Sequence, residues 1–497
     1  MKHRTLASAV AVICGVGLPV LSAQQRPGND AYFRLAQSNK AQIVMLAEEG
    51  LIPKPLAGRI AAGMKRVLAE AEKPGASRSG NYLDFEEKLV EVVGPEASSL
   101  HMGRSRIDLG TTSERSSLRE ATFAVLDKMI AARGKLIELA SKHINTVLPG
   151  YTNGVQAQPT TLAHYLLAFA SVFERDDERL RQAHARINKS TLGSAAFATS
   201  GFPLDRDRVA ELLGFQGIVE NSYDATGLST FDSKADFANS LALSAVTLGR
   251  LAQYLLIQYA NPQPGLMLPA ERTGRSSIMP QKRNPGEIER LRYVSGEVAG
   301  GAQTVWMVAH NTTSGDVDDL RATLLRHTLQ VGEDAGRMYD TLGRILDDLV
   351  VRPEITLAIV DSDYSTMTEL ADTLLREANV PFRVGHHFAS ELTTYGREHR
   401  KTPKELNYEE VAKIYQDTTA TKFPLSAEQL RNALSPEHIV ANRRGKGGPQ
   451  PAEVKRMLAA HRQHLEGSKT WVASERKRIS DAYAKLENAF NALAQNN

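Results

Sequence analysis

The densest chemistry in this sequence lies in one run, Gly274-Arg275-Ser276-Ser277-Ile278-Met279-Pro280-Gln281-Lys282-Arg283-Asn284-Pro285. Glycine and proline at its ends mark a loop, and inside it a pair of hydroxyls precedes an ammonium and an amide. A serine is a poor base until its alkoxide is stabilised, and Lys282 with the loop's own backbone N–H groups is the source of that stabilisation. Lys282 and Asn284 also suit a carboxylate or a phosphate. On residue chemistry alone, an activated serine and a simple anion-binding loop are both open.

Two further stretches offer polar groups without an obvious acid. In Leu100-His101-Met102-Gly103-Arg104-Ser105-Arg106-Ile107-Asp108, Ser105 brings a hydroxyl and Arg106 a planar fork matched to carboxylate. Gly150-Tyr151-Thr152-Asn153 and the following Gln158-Pro159-Thr160-Thr161-Leu162-Ala163-His164 present Thr152, Asn153 and Gln158 as candidate contacts, each equally suited to a cap or a turn. His164 falls on the apolar face of a helix, where a buried, hydrogen-bonded histidine is expected ahead of a catalytic one; His310 is a candidate replacement acid. His386 with His387, and His461 with His464, lack a third ligand at metal spacing and read as surface histidines, so no metal is expected.

The elements that must hold these residues are helices. Leu162, Tyr165, Leu166, Phe169, Val172 and Phe173 share one face, opposite the charged run Glu174-Arg175-Asp176-Asp177-Glu178-Arg179. Similar long segments cover roughly 118–147, 234–260, 287–309 and 320–349. Breakers at 103–110, 150–159 and 262–285 read as connecting loops, a softer boundary falls near Asp361, and 442–449 reads as a solvated basic turn.

A chain of 497 residues, 42% hydrophobic and 24% charged, has the balance of a soluble globular protein. Residues 1–23 have the pattern of an export signal: Lys2, His3 and Arg4, then an apolar stretch broken by Gly15, Gly17 and Pro19, then Ser22 and Ala23. Its removal takes two cations from a formal charge of +3, leaving no basic field of the kind nucleic acid requires. The single cysteine, Cys14, goes with it, so the mature chain has no thiol. A periplasmic or secreted protein, with no membrane attachment after cleavage, is expected.

The loop around Ser276 resembles the signature of the fumarase and aspartase superfamily, whose members expel a group from a β-carbon to leave fumarate. The stretch ending at Asp108 is similar to the argininosuccinate lyase version of that superfamily's first motif. Agreement continues through Phe202-Pro203-Leu204-Asp205-Arg206 to Phe215, through Glu220-Asn221-Ser222-Tyr223-Asp224-Ala225, and into Gly447-Gly448-Pro449. The resemblance implies an all-α, three-domain fold with a central bundle of long helices, divided at 24–112, 113–361 and 362–497. It implies a homotetramer without cofactor, each site drawing Ser105 and Arg106, Thr152 and Asn153, and the Ser276 loop from three different chains. In those sites Ser276 takes the Cβ proton, Lys282 assists, and Ser105, Arg106, Thr152, Asn153, Gln158 and Asn284 hold substrate.

Three departures bear on the leaving group. Ile107 stands where the family has Asn, and Asn153 where it has a His credited with proton transfer. Asp316, Asp318 and Arg321 stand where it has Tyr, Lys and Gln around the arginine moiety. The second and third of these changes are similar to those of the ethylenediamine-disuccinate lyases. The expectation is therefore a carbon–nitrogen lyase releasing fumarate and an amine from an N-substituted aspartate such as an aminopolycarboxylate. Argininosuccinate cleavage and non-catalytic dicarboxylate binding in the periplasm are the alternatives.

Overall fold

The computed structural model describes residues 29–313 and 318–495; the expected export signal and Asp316 lie outside them. Helices α1 (Ala31–Glu48), α2 (Lys54–Ala71) and α3 (Tyr82–Val93) close around buried Ile43, Met45, Ile60, Met64, Phe85 and Leu89. Next come α4 (Arg106–Lys142) and α5 (Leu162–Ile187), the short α6 (Arg206–Leu212), then α7 (Ser229–Gln258), α8 (Gly286–Ala309) and α9 (Asp318–Asp348). All but α6 form the central bundle, whose core includes Leu126 and Leu136 of α4, Leu166 and Phe173 of α5, Leu241 and Leu248 of α7, Leu291 of α8 and Leu342 of α9. Each such side chain contributes about 1.5–3 kcal/mol by leaving water.

Beyond the bundle, α10 (Pro353–Asp361) leads to α11 (Met367–Ala378), α12 (Phe382–Glu398), α13 (Tyr408–Thr419), α14 (Ala427–Leu434) and α15 (Pro436–Asn442). Leu374, Phe388, Tyr415 and Phe423 centre a separate core there. The last helix, α16 (Pro451–Gln495), leaves that cluster and runs back along the molecule. Its Leu458, Leu465 and Val472 join the bundle core, and Leu486 and Phe490 the N-terminal one.

Helices α4 and α9 run in parallel. Arg321 meets the start of α4 at Ile107 O (3.1 Å), Asp340 pairs with Lys128 (2.6 Å) and Asp347 with Lys135 (2.5 Å).

Two sequence expectations change. The stretch 103–110 is not a loop throughout, because α4 starts at Arg106: Ser105 and Asp108 form a capping box that satisfies the first free N–H groups. The stretch 150–159 is not a plain loop but an antiparallel hairpin, β1 (Val147–Thr152) with β2 (Val155–Thr161). Asn153 and Gly154 form its two-residue turn with φ of 52° and 76°, as a turn of this hand requires. Further short strands are β3 (Leu266–Met267), β4 (Gly274–Arg275) and β5 (Arg283–Asn284) ahead of α8, and β6 (Val350–Val351) after α9. Strand β3 pairs with β6, and β4 with β5.

Candidate active site

The Ser276 loop is tied at its base by the β4–β5 pair, with Gly274 opposite Asn284 and Arg275 opposite Arg283. The chain between them turns back on Ser276, whose Oγ accepts hydrogen bonds from Met279 N (3.0 Å) and Ile278 N (3.4 Å). Two backbone N–H dipoles aimed at one hydroxyl oxygen are the arrangement that stabilises an alkoxide. Lys282 and Ile278 are exposed, Ile278 by 81%, and Asn284 is half-buried. Pro285 then caps α8, fixing the loop's exit.

At the start of α4, Ser105 caps the helix by accepting from Ile107 N (3.4 Å), and Arg106 projects from the first turn. Arg106 is exposed and makes no hydrogen bond or ion pair with the described residues. A free guanidinium beside a helix N-terminus attracts a carboxylate by charge and by dipole together.

Asp108 fixes this turn, a role the sequence reading missed although the Ser-x-x-Asp spacing announces it. Its Oδ1 accepts from Ser105 N (2.9 Å) and Leu109 N (2.9 Å), and its Oδ2 from Gly193 N and Ala195 N (3.0 Å each). Burial pushes the Asp108 carboxyl up to about 6 against the pull of those N–H groups. Beneath the turn, burial and then the Arg104 charge draw His101 down to about 4. About two turns further along α4, Glu114 pairs with Lys234 Nζ (2.7 Å) and Arg321 Nε (3.0 Å).

The hairpin presents Thr152 and Asn153, both exposed, at its tip. Gln158 Oε1 accepts from Arg443 Nη2 (3.3 Å), and Arg443 also pairs with Glu369 (2.8 Å). His164 Nε2 lies 2.9 Å from Gly447 O and Nδ1 lies 2.8 Å from Thr160 Oγ1. Donation to the carbonyl leaves Nδ1 as acceptor for the hydroxyl, so both ring nitrogens are engaged in joining β2 and α5 to the 442–449 segment. That segment is the exposed turn expected from its composition at Arg444 to Gly447, with the Gly447 carbonyl tied to His164 in addition. His461 is not a surface residue: it is buried, with Nδ1 2.7 Å from Glu174 Oε1. His310 ends α8, exposed.

The chain does not bring all these residues together. Arg272 pairs with Asp348 (2.9 Å), so the Ser276 loop sits at the α9 C-terminal end, level with Lys135 of α4. From Arg106 to Lys135 an α-helix rises about 1.5 Å per residue, or roughly 44 Å. Ser105 and Arg106 therefore occupy one end of the bundle; the Ser276 loop and the hairpin base that follows α4 occupy the other. A surface cleft of about 960 Å³ between α5 and α16 includes none of the candidate site residues.

A lyase family model matches residues 29–300, and an argininosuccinate lyase C-terminal model matches residues 364–441. The argininosuccinate lyase of Methanosarcina acetivorans is 32% identical over 451 residues, 90% of each chain. Argininosuccinate lyase 2 of Agrobacterium fabrum is 31% identical, covering 96% of this chain and 94% of that one. Among solved structures, EDDS lyase in complex with formate superposes with a TM-score of 0.83 at 28% identity over 94% of this chain and 92% of that one. A fumarate lyase from Mesorhizobium sp. BNC1 shares the fold, with a TM-score of 0.68 at 18% identity over 87% of this chain and 95% of that one. Fold and matches together define an all-α carbon–nitrogen lyase with the architecture of the fumarase and aspartase superfamily. Within it, this chain belongs to the argininosuccinate lyase family.

Proposed function

We propose that this enzyme releases fumarate and an amine from an N-substituted aspartate of the aminopolycarboxylate type, such as ethylenediamine disuccinate. The observation that carries the reading is Ser276 Oγ held under the N–H groups of Ile278 and Met279, in the loop that also bears Lys282 and Asn284. The Ser276 alkoxide takes the Cβ proton, and the electron pair moves onto the adjacent carboxylate as a second negative charge. Lys282 and Asn284 offset that charge, with Ser105 and Arg106 holding the carboxylates. The pair then returns to form the double bond as the C–N bond breaks. A secondary amine protonated near neutral pH leaves as the neutral amine, so Asn153 in place of a histidine does not bar the step.

Fit to EDDS lyase over nearly the whole chain supports the aminopolycarboxylate reading. The sequence matches to argininosuccinate lyases favour argininosuccinate as the second reading. Incubation with ethylenediamine disuccinate, argininosuccinate, carboxymethylaspartate and aspartate, with fumarate followed by ultraviolet absorbance, separates them. Turnover of argininosuccinate above the others would overturn the first reading.

The working form in this proposal is a homotetramer with shared sites. The bundle-length gap between Arg106 and Ser276 supports it, because a substrate a few ångströms across requires both ends to come from different copies. Exposed Leu243, Val246 and Ile257 on α7, and Tyr293, Trp306 and Met307 on α8, supply an apolar face for neighbouring bundles. Residues 224–258, which span α7, are apolar enough by length and composition to cross a membrane, and a helix packed inside a multi-chain core passes the same test. Export is proposed from the pattern of residues 1–23, and the N-terminus of protein from a periplasmic extract tests it.

A further inference from the structure

We infer that Arg321 is a positioning residue for substrate binding: it locks the first turn of α4, and so sets where Ser105 and Arg106 present themselves. The inference rests on the proposed role of that turn. Arg321 Nη1 donates to the Ile107 carbonyl (3.1 Å) while Nε lies 3.0 Å from Glu114 Oε1. The same guanidinium lies flat against Gly110, where an added Cβ would stand 2.7 Å from both Nη1 and Nη2. Glycine is therefore needed inside this helix for close approach, not for backbone freedom.

The geometry gives Arg321 a duty that a shorter amide could not perform. Carbonyls in the first turn already accept helical bonds, so Ile107 O uses a second lone pair for Arg321. The anchor for that bond is Glu114, two helical turns on, which is itself held by Lys234 from α7. Arg321 thereby connects α9 to α4, and through Glu114 to α7. The acceptor is the backbone carbonyl of Ile107, so this tie depends on Arg321 and not on the side chain at position 107. A guanidinium reaches Glu114 and Ile107 O from separate nitrogens of a rigid planar fork, whereas a lysine would have to reach both from a single nitrogen.

Arg321→Lys, Arg321→Gln and Gly110→Ala, made in the full-length protein, test this through two independent readouts. The first is amide hydrogen exchange of residues 105–109, which needs no ligand. The second is calorimetric titration with fumarate. Arg321→Lys and Gly110→Ala should retain the wild-type thermal midpoint to within a few degrees, lose exchange protection in the first turn, and weaken fumarate binding roughly five- to tenfold, the scale of one lost hydrogen bond. Arg321→Gln should do the same with a lower midpoint, since Glu114 loses a partner. Unchanged protection at 105–109 in Arg321→Lys overturns the inference, as does wild-type fumarate affinity in that variant. Wild-type protein that binds no fumarate indicts the proposed function instead, leaving the exchange result to decide the role of Arg321.

Discussion

Glu114 carries two cations in the bundle interior, and removing its charge should cost far more than removing either partner. Lys234 Nζ donates to Glu114 Oε2 (2.7 Å), Thr230 O (2.6 Å) and Thr230 Oγ1 (3.0 Å), with its side chain 1% exposed. Arg321 closes the other side at 3.0 Å. Glu114→Gln takes the carboxylate away from two neighbouring buried cations, which costs about 4 kcal/mol on the scale for breaking a buried pair. Lys234→Met leaves Glu114 still neutralised by Arg321 and loses mainly the two bonds to Thr230, about 2 kcal/mol. In the double variant only one cation, Arg321, faces the amide, so the loss should be about 3 kcal/mol, well short of the roughly 6 kcal/mol of additive effects. Urea unfolding followed by circular dichroism, at one protein concentration and pH 7.5, measures all three. Additive losses, or Glu114→Gln unfolding within about 1 kcal/mol of wild type, would refute the shared-carboxylate description.

Three other outcomes follow from the same contacts. Burial between Phe123 and Trp471 draws His184 down to about 4 from an ordinary 6.5. The unfolded chain then binds the extra proton first, so this contribution, about 3 kcal/mol, is fully present above pH 6.5 and lost as pH falls toward 4. Asp108 works the other way between about 4 and 6, because its folded carboxyl is raised, so His184→Phe is the comparison that isolates the histidine: its unfolding midpoint should drop less than that of wild type between pH 7.5 and 5. Asn153→Ala keeps a β-carbon at a φ of 52° but loses the short polar side chain that eases the left-handed conformation, and should cost about 1 kcal/mol, measured by thermal unfolding, whereas Asn153→Gly should cost little. Ser276→Ala and Arg106→Met chains, each inactive alone, should regain a fraction of wild-type fumarate release when unfolded together and reassembled. Continued silence of the mixture would mean that both residues serve one chain's site.

The helical bundle was legible because its apolar faces are continuous: Leu162, Leu166 and Phe173 of α5 are all buried where the spacing places them. The site loop was legible through residue types that solvent or packing would not by themselves demand. The hairpin was hidden by its composition, since Gly150, Pro149 and Pro159 read as breakers; Asn153-Gly154 was the overlooked turn signal. The long-range contacts of Asp108, Arg321 and Arg443 were hidden for a different reason. Their partners lie 85, 214 and 285 residues away at Gly193, Ile107 and Gln158, and no local pattern carries such pairings. The same limit applies to His461, whose burial depends on Glu174 from another helix.

The most direct test of Ser276 as the base is fumarate release by Ser276→Ala, followed by ultraviolet absorbance on the best substrate found, with fumarate affinity measured alongside. The N–H groups of Ile278 and Met279 have no oxygen to hold in that variant, so turnover should fall by about 10³-fold or more while fumarate still binds at Arg106 within a few-fold of wild type. Turnover within tenfold of wild type would contradict the account and assign the proton to another residue.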